Sequence, residues 1–353
     1  MKLRLPHFLN LLSLGMLILS SNLSVAQDYH FSQYNQNHSL INPGLIGALG
    51  TARANLVYRN QWRSVSNPFT TLGGAVESRL SKHADETDLD TEKRGSNSFE
   101  PFKNSSLGLG VYNFNGGVSG FKTFQTNLSF ASRYYLTSNS FLSFGVQGAF
   151  NQRRVDLDDL LFPTQFNGTN YDPTLSNNET AGLSNSAYGE FSAGVVWHTH
   201  SNATSVAAND HYEAIIGLSL FNMNRAYQAD RSMSERSFLQ GVFHGEISMG
   251  LKRTTYTISP MWLVQWAGPS SEVNFGAMIR HAFREGAKYT DLVQRSSIGF
   301  GIHHRWRDAV IVNMVYDSGT YAIGMSYDVN VSPLRAATNF KGAIELTFVV
   351  KGR

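Results

Sequence analysis

The sequence predicts an all-β outer-membrane barrel of about 14 antiparallel strands, between 12 and 16. Three observations carry that expectation. Apolar residues alternate with small or mildly polar ones along most of the chain. Charged residues make up only 16% of the 353 positions, against about 25% in a soluble domain. After an N-terminal address segment, no apolar run approaches the roughly 18 residues that a membrane helix needs.

The elements follow in order. Lys2 and Arg4 precede a mostly apolar run from Phe8 to Leu19, and Ser24-Val25-Ala26 supplies small residues before Gln27. Residues 1–26 therefore read as a signal peptide, the apolar run being short for a membrane anchor. Without Lys2 and Arg4, 27 cations stand against 26 anions, too even a balance for a nucleic-acid partner. Residues 27–50 read as an N-terminal periplasmic or plug segment, and 51–353 as the barrel. Strands are expected near 51–62, 70–80, 105–115, 121–136, 140–152, 189–199, 211–222, 242–252, 256–266, 272–282, 295–306, 308–317, 320–330 and 341–350. Most span about ten residues, enough to cross the apolar core when tilted.

The second face of these strands decides between a water-soluble sandwich and a barrel. In 321–329, Tyr321, Ile323, Met325, Tyr327 and Val329 oppose Ala322, Gly324, Ser326 and Asp328. In 342–348, Ile344, Leu346 and Phe348 oppose Ala343, Glu345 and Thr347. Small, mildly polar faces suit the crowded inside of a closed sheet. Tyr134, Trp197, Trp262, Trp266, Tyr316 and Tyr321 fall where interfacial girdles belong. With both termini periplasmic, the long connections 153–188 and 223–241 face outward, and the links at Thr137-Ser138-Asn139, Arg253-Thr254-Thr255 and Ser318-Gly319 face inward. The charged stretch 81–104 falls on the periplasmic side, as an insertion or as the mark of a miscounted strand.

Catalytic and metal chemistry finds little support. With no Cys there is no thiolate site and no disulfide framework. His198 and His200 share a strand face without a third ligand in the spacing, and His303 and His304 point opposite ways. Asp156, Asp158 and Asp159 lack the glycine and closing glutamate of a calcium loop. Gly108-Leu109-Gly110 and Gly299-Phe300-Gly301 open no helix and read as inner-face strand glycines. No set of Ser, His and a third orienting group is singled out for a barrel lipase. The expectation is a non-enzyme with no cofactor and no metal.

The chain also carries recognisable blocks: FSQYNQNHSLINPGLIG from Phe31 to Gly47, YRNQW from Tyr58 to Trp62, RYYLTSNSFLSFGVQGAF from Arg133 to Phe150, and GMSYDVNVSPLRAATNFKGAIELTF from Gly324 to Phe348. Together they resemble the PorP/SprF family of type IX secretion system membrane proteins. Gly44 stands where that family usually has Ala after the Asn-Pro pair, and the 81–104 stretch is longer than expected there. The residues that carry the resemblance are Phe31, Ser32, Gln33, Tyr34, Asn42, Pro43, Arg59, Asn60, Gln61 and Trp62, as structural or partner-binding positions. On the residues alone, Asn60 and Gln61 face opposite sides, Arg59 and Trp62 fit a strand end near an interface, and Pro43 with Gly44 and Gly47 makes a compact lead-in to the first strand.

The resemblance implies an outer-membrane component that assists secretion or surface anchoring of a large adhesin bearing a type B C-terminal signal. The implied partners are outer-membrane lipid, the adhesin's C-terminal domain, and the periplasmic type IX secretion ring with peptidoglycan-linked proteins, through the secretion and gliding apparatus. In this reading the outward loops grip the adhesin domain, and Phe31–Gly50 with 81–104 touch periplasmic partners. The alternatives are a fatty-acid-transporter-like 14-strand barrel, which needs an apolar lumenal pocket that a small, polar inner face disfavours, and a plain diffusion porin.

Overall fold

The computed structural model describes residues 30–63, 68–80, 104–117, 120–155, 162–172, 174–176, 185–201, 208–229, 234–284, 296–333 and 335–352. The signal peptide, residues 27–29, most of the 81–104 stretch and the Asp156–Asp159 cluster lie outside the described residues.

The strands are β1 (Ala52–Gln61), β2 (Phe69–Arg79), β3 (Ser105–Asn115), β4 (Phe121–Thr137), β5 (Ser140–Val155), β6 (Asn185–Ser201), β7 (Tyr212–Phe221), β8 (Tyr227–Ala229), β9 (Ser234–Arg236), β10 (Gln240–Gly250), β11 (Tyr256–Ala267), β12 (Ser270–Arg284), β13 (Ser296–Arg305), β14 (Ala309–Asp317), β15 (Tyr321–Asn330) and β16 (Lys341–Gly352). β8 and β9 make a separate small hairpin. The other 14 form one antiparallel closed barrel, sealed by β1 against β16 in the register Ala52↔Gly352 to Gln61↔Ala343. Closure leaves no unpaired edge in hydrocarbon.

Alternation sets which way each strand faces. Along β3, Leu107, Leu109 and Val111 are exposed, whereas Gly108, Gly110 and Tyr112 are buried. The exposed apolar set coats the outside of every wall and the buried set lines the lumen, the arrangement that a bilayer requires. At one barrel end Tyr316 lies 6.2 Å from both Phe283 and Tyr321, and Tyr321 lies 6.5 Å from Phe348. These rings form a stretch of interfacial belt.

The two mouths differ. At the lower mouth β1 starts and β16 ends, and the tight turns at 138–139 and 318–320 lie there together with both ends of the 81–103 stretch. At the upper mouth β4, β5 and β6 rise as a wall. β6 runs eight residues beyond its last pair with β7, Ala193↔Leu220, roughly 26 Å at the usual strand rise. The connection after β7 leans on this wall: Met223 N donates to Phe191 O (2.9 Å) and Asn224 Nδ2 to Gly189 O (2.8 Å).

Three expectations are corrected. The two ends do not share a mouth: the described chain begins at His30 beside Arg305 at the upper one, and β16 ends at the lower. Arg59 does not sit at an interface; it points into the lumen and is buried. The inner face is not uniformly small and polar: Val196, Ile215, Val242, Met261, Leu263 and Met278 make one side of it apolar, and Tyr34, Ile41 and Leu45 pack there. Trp62 fits the strand-end reading, its indole edge-on to Phe69 at 4.9 Å.

Candidate functional site

Residues 30–50 fill the lumen. Their short helical turns, Tyr34–Gln36, His38–Ile41 and Pro43–Leu45, cannot satisfy their own backbone groups, so the barrel wall supplies the partners. The segment bonds to strands on opposite sides of the ring, which is possible only from inside it. It runs from the upper mouth at His30, beside Glu272 and Arg305, to the lower mouth at Gly47 and Ala48, beside Arg79.

The upper anchor is Ser32. Its N–H donates to Glu345 (2.7 Å) and that of Gln33 to the other Glu345 oxygen (2.8 Å). Its hydroxyl donates to Asp328 and accepts from Arg59, both at 2.5 Å. Arg59 in turn pairs with Asp328 (2.9 Å) and Glu345 (3.1 Å), and Arg305 with Asp328 (3.3 Å) and Asp308 (2.9 Å). Arg59 is 3% exposed and Glu345 0%. Charges this dry persist only when paired and hydrogen-bonded. Gln33 adds a bond from Thr347 (3.0 Å) to its Oε1.

The lower half is seated differently. Asn42 Nδ2 donates to the carbonyls of Val195 (3.0 Å) and Leu218 (3.2 Å) and lies 3.2 Å from His244 Nε2, while its Oδ1 accepts from Gly44 N (2.8 Å). This block lies flat on the wall because Gly145 and Gly194, directly opposite each other in β5 and β6, leave room. A Cβ at Gly145 would fall 2.2 Å from the Pro43 carbonyl carbon, and one at Gly194 2.1 Å from Asn42 Oδ1. Ser219 donates to Ile41 O (2.5 Å) and Gln147 to Ser39 O (2.9 Å).

Glu77 ties the segment to β2 by accepting from Gly47 N (3.0 Å) and His38 Nδ1 (2.8 Å). Burial, helped by the Arg53 guanidinium, holds the His38 imidazole below its usual range against the pull of Glu77. Such a base binds more protons unfolded than folded, so stability drops as pH falls below the ordinary value of 6.5. The urea midpoint of the chain is expected to fall between pH 7.5 and pH 5.5, and to fall less in His38→Gln; parallel profiles would exclude His38 as the source.

Of the residues singled out in the sequence, Phe31, Ser32, Gln33, Tyr34, Asn42 and Pro43 lie in the plug and Arg59 in its upper anchor. Phe31 packs with Val57, Tyr112 and Phe114, and Tyr34 on the apolar wall. Gln61 takes the inward position and Asn60 faces out, bonded to the Tyr58 hydroxyl (3.2 Å). Asp328, Glu345 and Arg305 were not singled out. The closing register places Arg59 directly across from Glu345, and opposite charges at matching inner positions of the first and last strands were the available signal. His198 and His200 do find a carboxylate, Glu213, across from His200 and 2.9 Å from His198 Nε2; among the described residues no group of three is arranged to hold a metal.

The family model described as "Type IX secretion system membrane protein PorP/SprF" matches residues 23–350. No curated protein matches the sequence. Among solved structures, the chain is similar to the Ralstonia pickettii toluene transporter TbuX (12% identity, 88% of this chain and 92% of that one, TM-score 0.39). It is similar also to the CymD monoaromatic hydrocarbon channel (10%, 93% and 95%, 0.42) and to the translocator domain of autotransporter NalP from Neisseria meningitidis (8%, 91% and 94%, 0.37).

Proposed function

This chain belongs to the PorP/SprF family of type IX secretion system membrane proteins, and from that premise we propose that it is a closed, non-enzymatic docking barrel of the outer membrane. The observation that carries this reading is the filled lumen. Ordered chain from His30 to Gly50 occupies it from mouth to mouth, so the barrel acts through its rims and not as a conduit.

The cargo in this reading is the C-terminal domain of a large surface adhesin with a type B signal. It is gripped at the upper mouth by the connections 153–188 and 223–241. Exposed Phe166, Tyr171, Leu175 and Met223 on their described parts, and the raised β4–β6 wall, support this assignment. The lower mouth, including the 81–104 stretch, faces the periplasmic secretion and gliding apparatus. Phe31–Ala48 is largely packed inside the barrel, which leaves Leu49 and Gly50 as the part of the plug available to periplasmic partners.

Replacing 153–188 and 223–241 by short turns is expected to lower surface-anchored adhesin several-fold, while the barrel keeps its heat-modifiable gel shift. Normal adhesin levels on such cells would overturn the gripping model.

The transporter alternative draws on the apolar side of the lumen. The cavity left beside Tyr34, Ile41, Leu45, Ile215 and Met261 is about 30 Å³, whereas pockets for small molecules hold roughly 300–1,000 Å³. Uptake of an apolar solute by the unmodified chain in vesicles would favour that alternative.

A further inference from the structure

Arg133 is the lumenal arginine whose charge the described residues do not answer. Arg59 and Arg305 meet carboxylates at 2.9–3.1 Å, Arg280 meets Glu246 at 3.1 Å, and Arg53 lies 3.7 Å from Glu77. Arg79 donates to two plug carbonyls. Arg133 is 5% exposed, and its Nε has no hydrogen-bond partner. No carboxylate of the described residues pairs with it.

Its surroundings have the character of a site. The guanidinium lies over the rings of Tyr135 and Phe141, 5.9 and 6.0 Å from their centroids. Stacking of this kind orients the fork and helps offset its dehydration. Directly across in the β4–β5 register is Ser143, fully buried, with a hydroxyl that has no partner. Two buried donors without an acceptor, Arg133 Nε and Ser143 Oγ, beside a positive charge that no carboxylate answers, suit an acceptor that is itself an anion.

We propose that Arg133, with Ser143, binds a single oxyanion, a carboxylate or phosphate group, inside the lower mouth. The anion would neutralise the guanidinium and accept from Nε and the serine hydroxyl. Its position between β4, β5 and the Gly44–Ala48 end of the plug would couple anion binding to the seating of that end. The chemistry is that of a free anion, inorganic phosphate or a small carboxylate, reaching the lumen from that mouth.

The test uses the full chain in detergent micelles, with thermal unfolding followed in inorganic phosphate or acetate against chloride at equal ionic strength. For a free anion, the midpoint is expected to rise saturably, on the order of 5 °C at a hundredfold excess over the dissociation constant. Arg133→Gln abolishes the response, and its midpoint in chloride is no lower than that of the unmodified chain, because an uncompensated charge has been removed. Arg133→Lys keeps a weaker response.

A phosphate response that survives in Arg133→Gln would mean an adventitious ion only. Silence of the unmodified chain in both phosphate and acetate would also overturn the proposal. So would an Arg133→Gln midpoint well below the parent in chloride, the mark of a purely structural arginine.

Discussion

Planar bilayers containing Gly145→Val will pass a steady ionic current that bilayers containing the unmodified chain do not. The reason is the close seat of the plug on β5 and β6. A Cβ at position 145 alone would fall 2.2 Å from the Pro43 carbonyl carbon and 2.3 Å from Gly44 N, and valine adds two methyl groups. The wall cannot retreat, since β5 is held by ladders to β4 and β6 on both sides. Overpacking of this kind costs roughly 1–3 kcal/mol or more. The plug's lower half rests on hydrogen bonds worth about 1 kcal/mol each, so it is the plug that yields. A 14-stranded barrel without its filling admits small solutes.

Gly148→Val on the same strand is the matched control. That position faces outward and a Cβ there meets only ordinary contact, 4.0 Å from Phe191, so no current is expected. Gly194→Val should open the lumen as Gly145→Val does. A folded, heat-modifiable Gly145→Val that stays silent would show that the plug can accommodate the bulk.

Arg59→Met is expected to give the largest loss of stability. It leaves the fully buried Glu345 without its cation and Arg305 as the one arginine facing Asp328. Removing one member of a buried ion network costs roughly 3–5 kcal/mol, read as a lower urea midpoint in lipid vesicles. Glu345→Gln added to Arg59→Met should recover part of the loss, because the second change removes the charge that the first left unpaired. A midpoint shift below about 0.5 kcal/mol for Arg59→Met would place it among ordinary surface changes and dismiss the network as an anchor.

The strands were legible because the lipid enforces strict alternation wherever a strand crosses it. Legibility ended where the lipid ended. β5 and β6 extend beyond the expected 140–152 and 189–199 to Val155 and back to Asn185, through polar residues such as Gln152 and Asn185 that carry no period. The apolar side of the lumen was hidden for the opposite reason: Met261-Trp262-Leu263-Val264 is apolar on both faces, so alternation there does not report which face is inside. Arg59 was misplaced because a cation at a strand end looks the same facing interfacial water as facing lumenal carboxylates. Its partners lie 269 and 286 residues away in sequence.

The path of residues 30–50 fixes the order in which this protein can be built. β1 and β16 form the closing seam, and the stretch ahead of β1 lies within the ring that the seam completes. It must already be inside when the final ladder zips up, since threading a finished cylinder would mean breaking its buried ion pairs one after another.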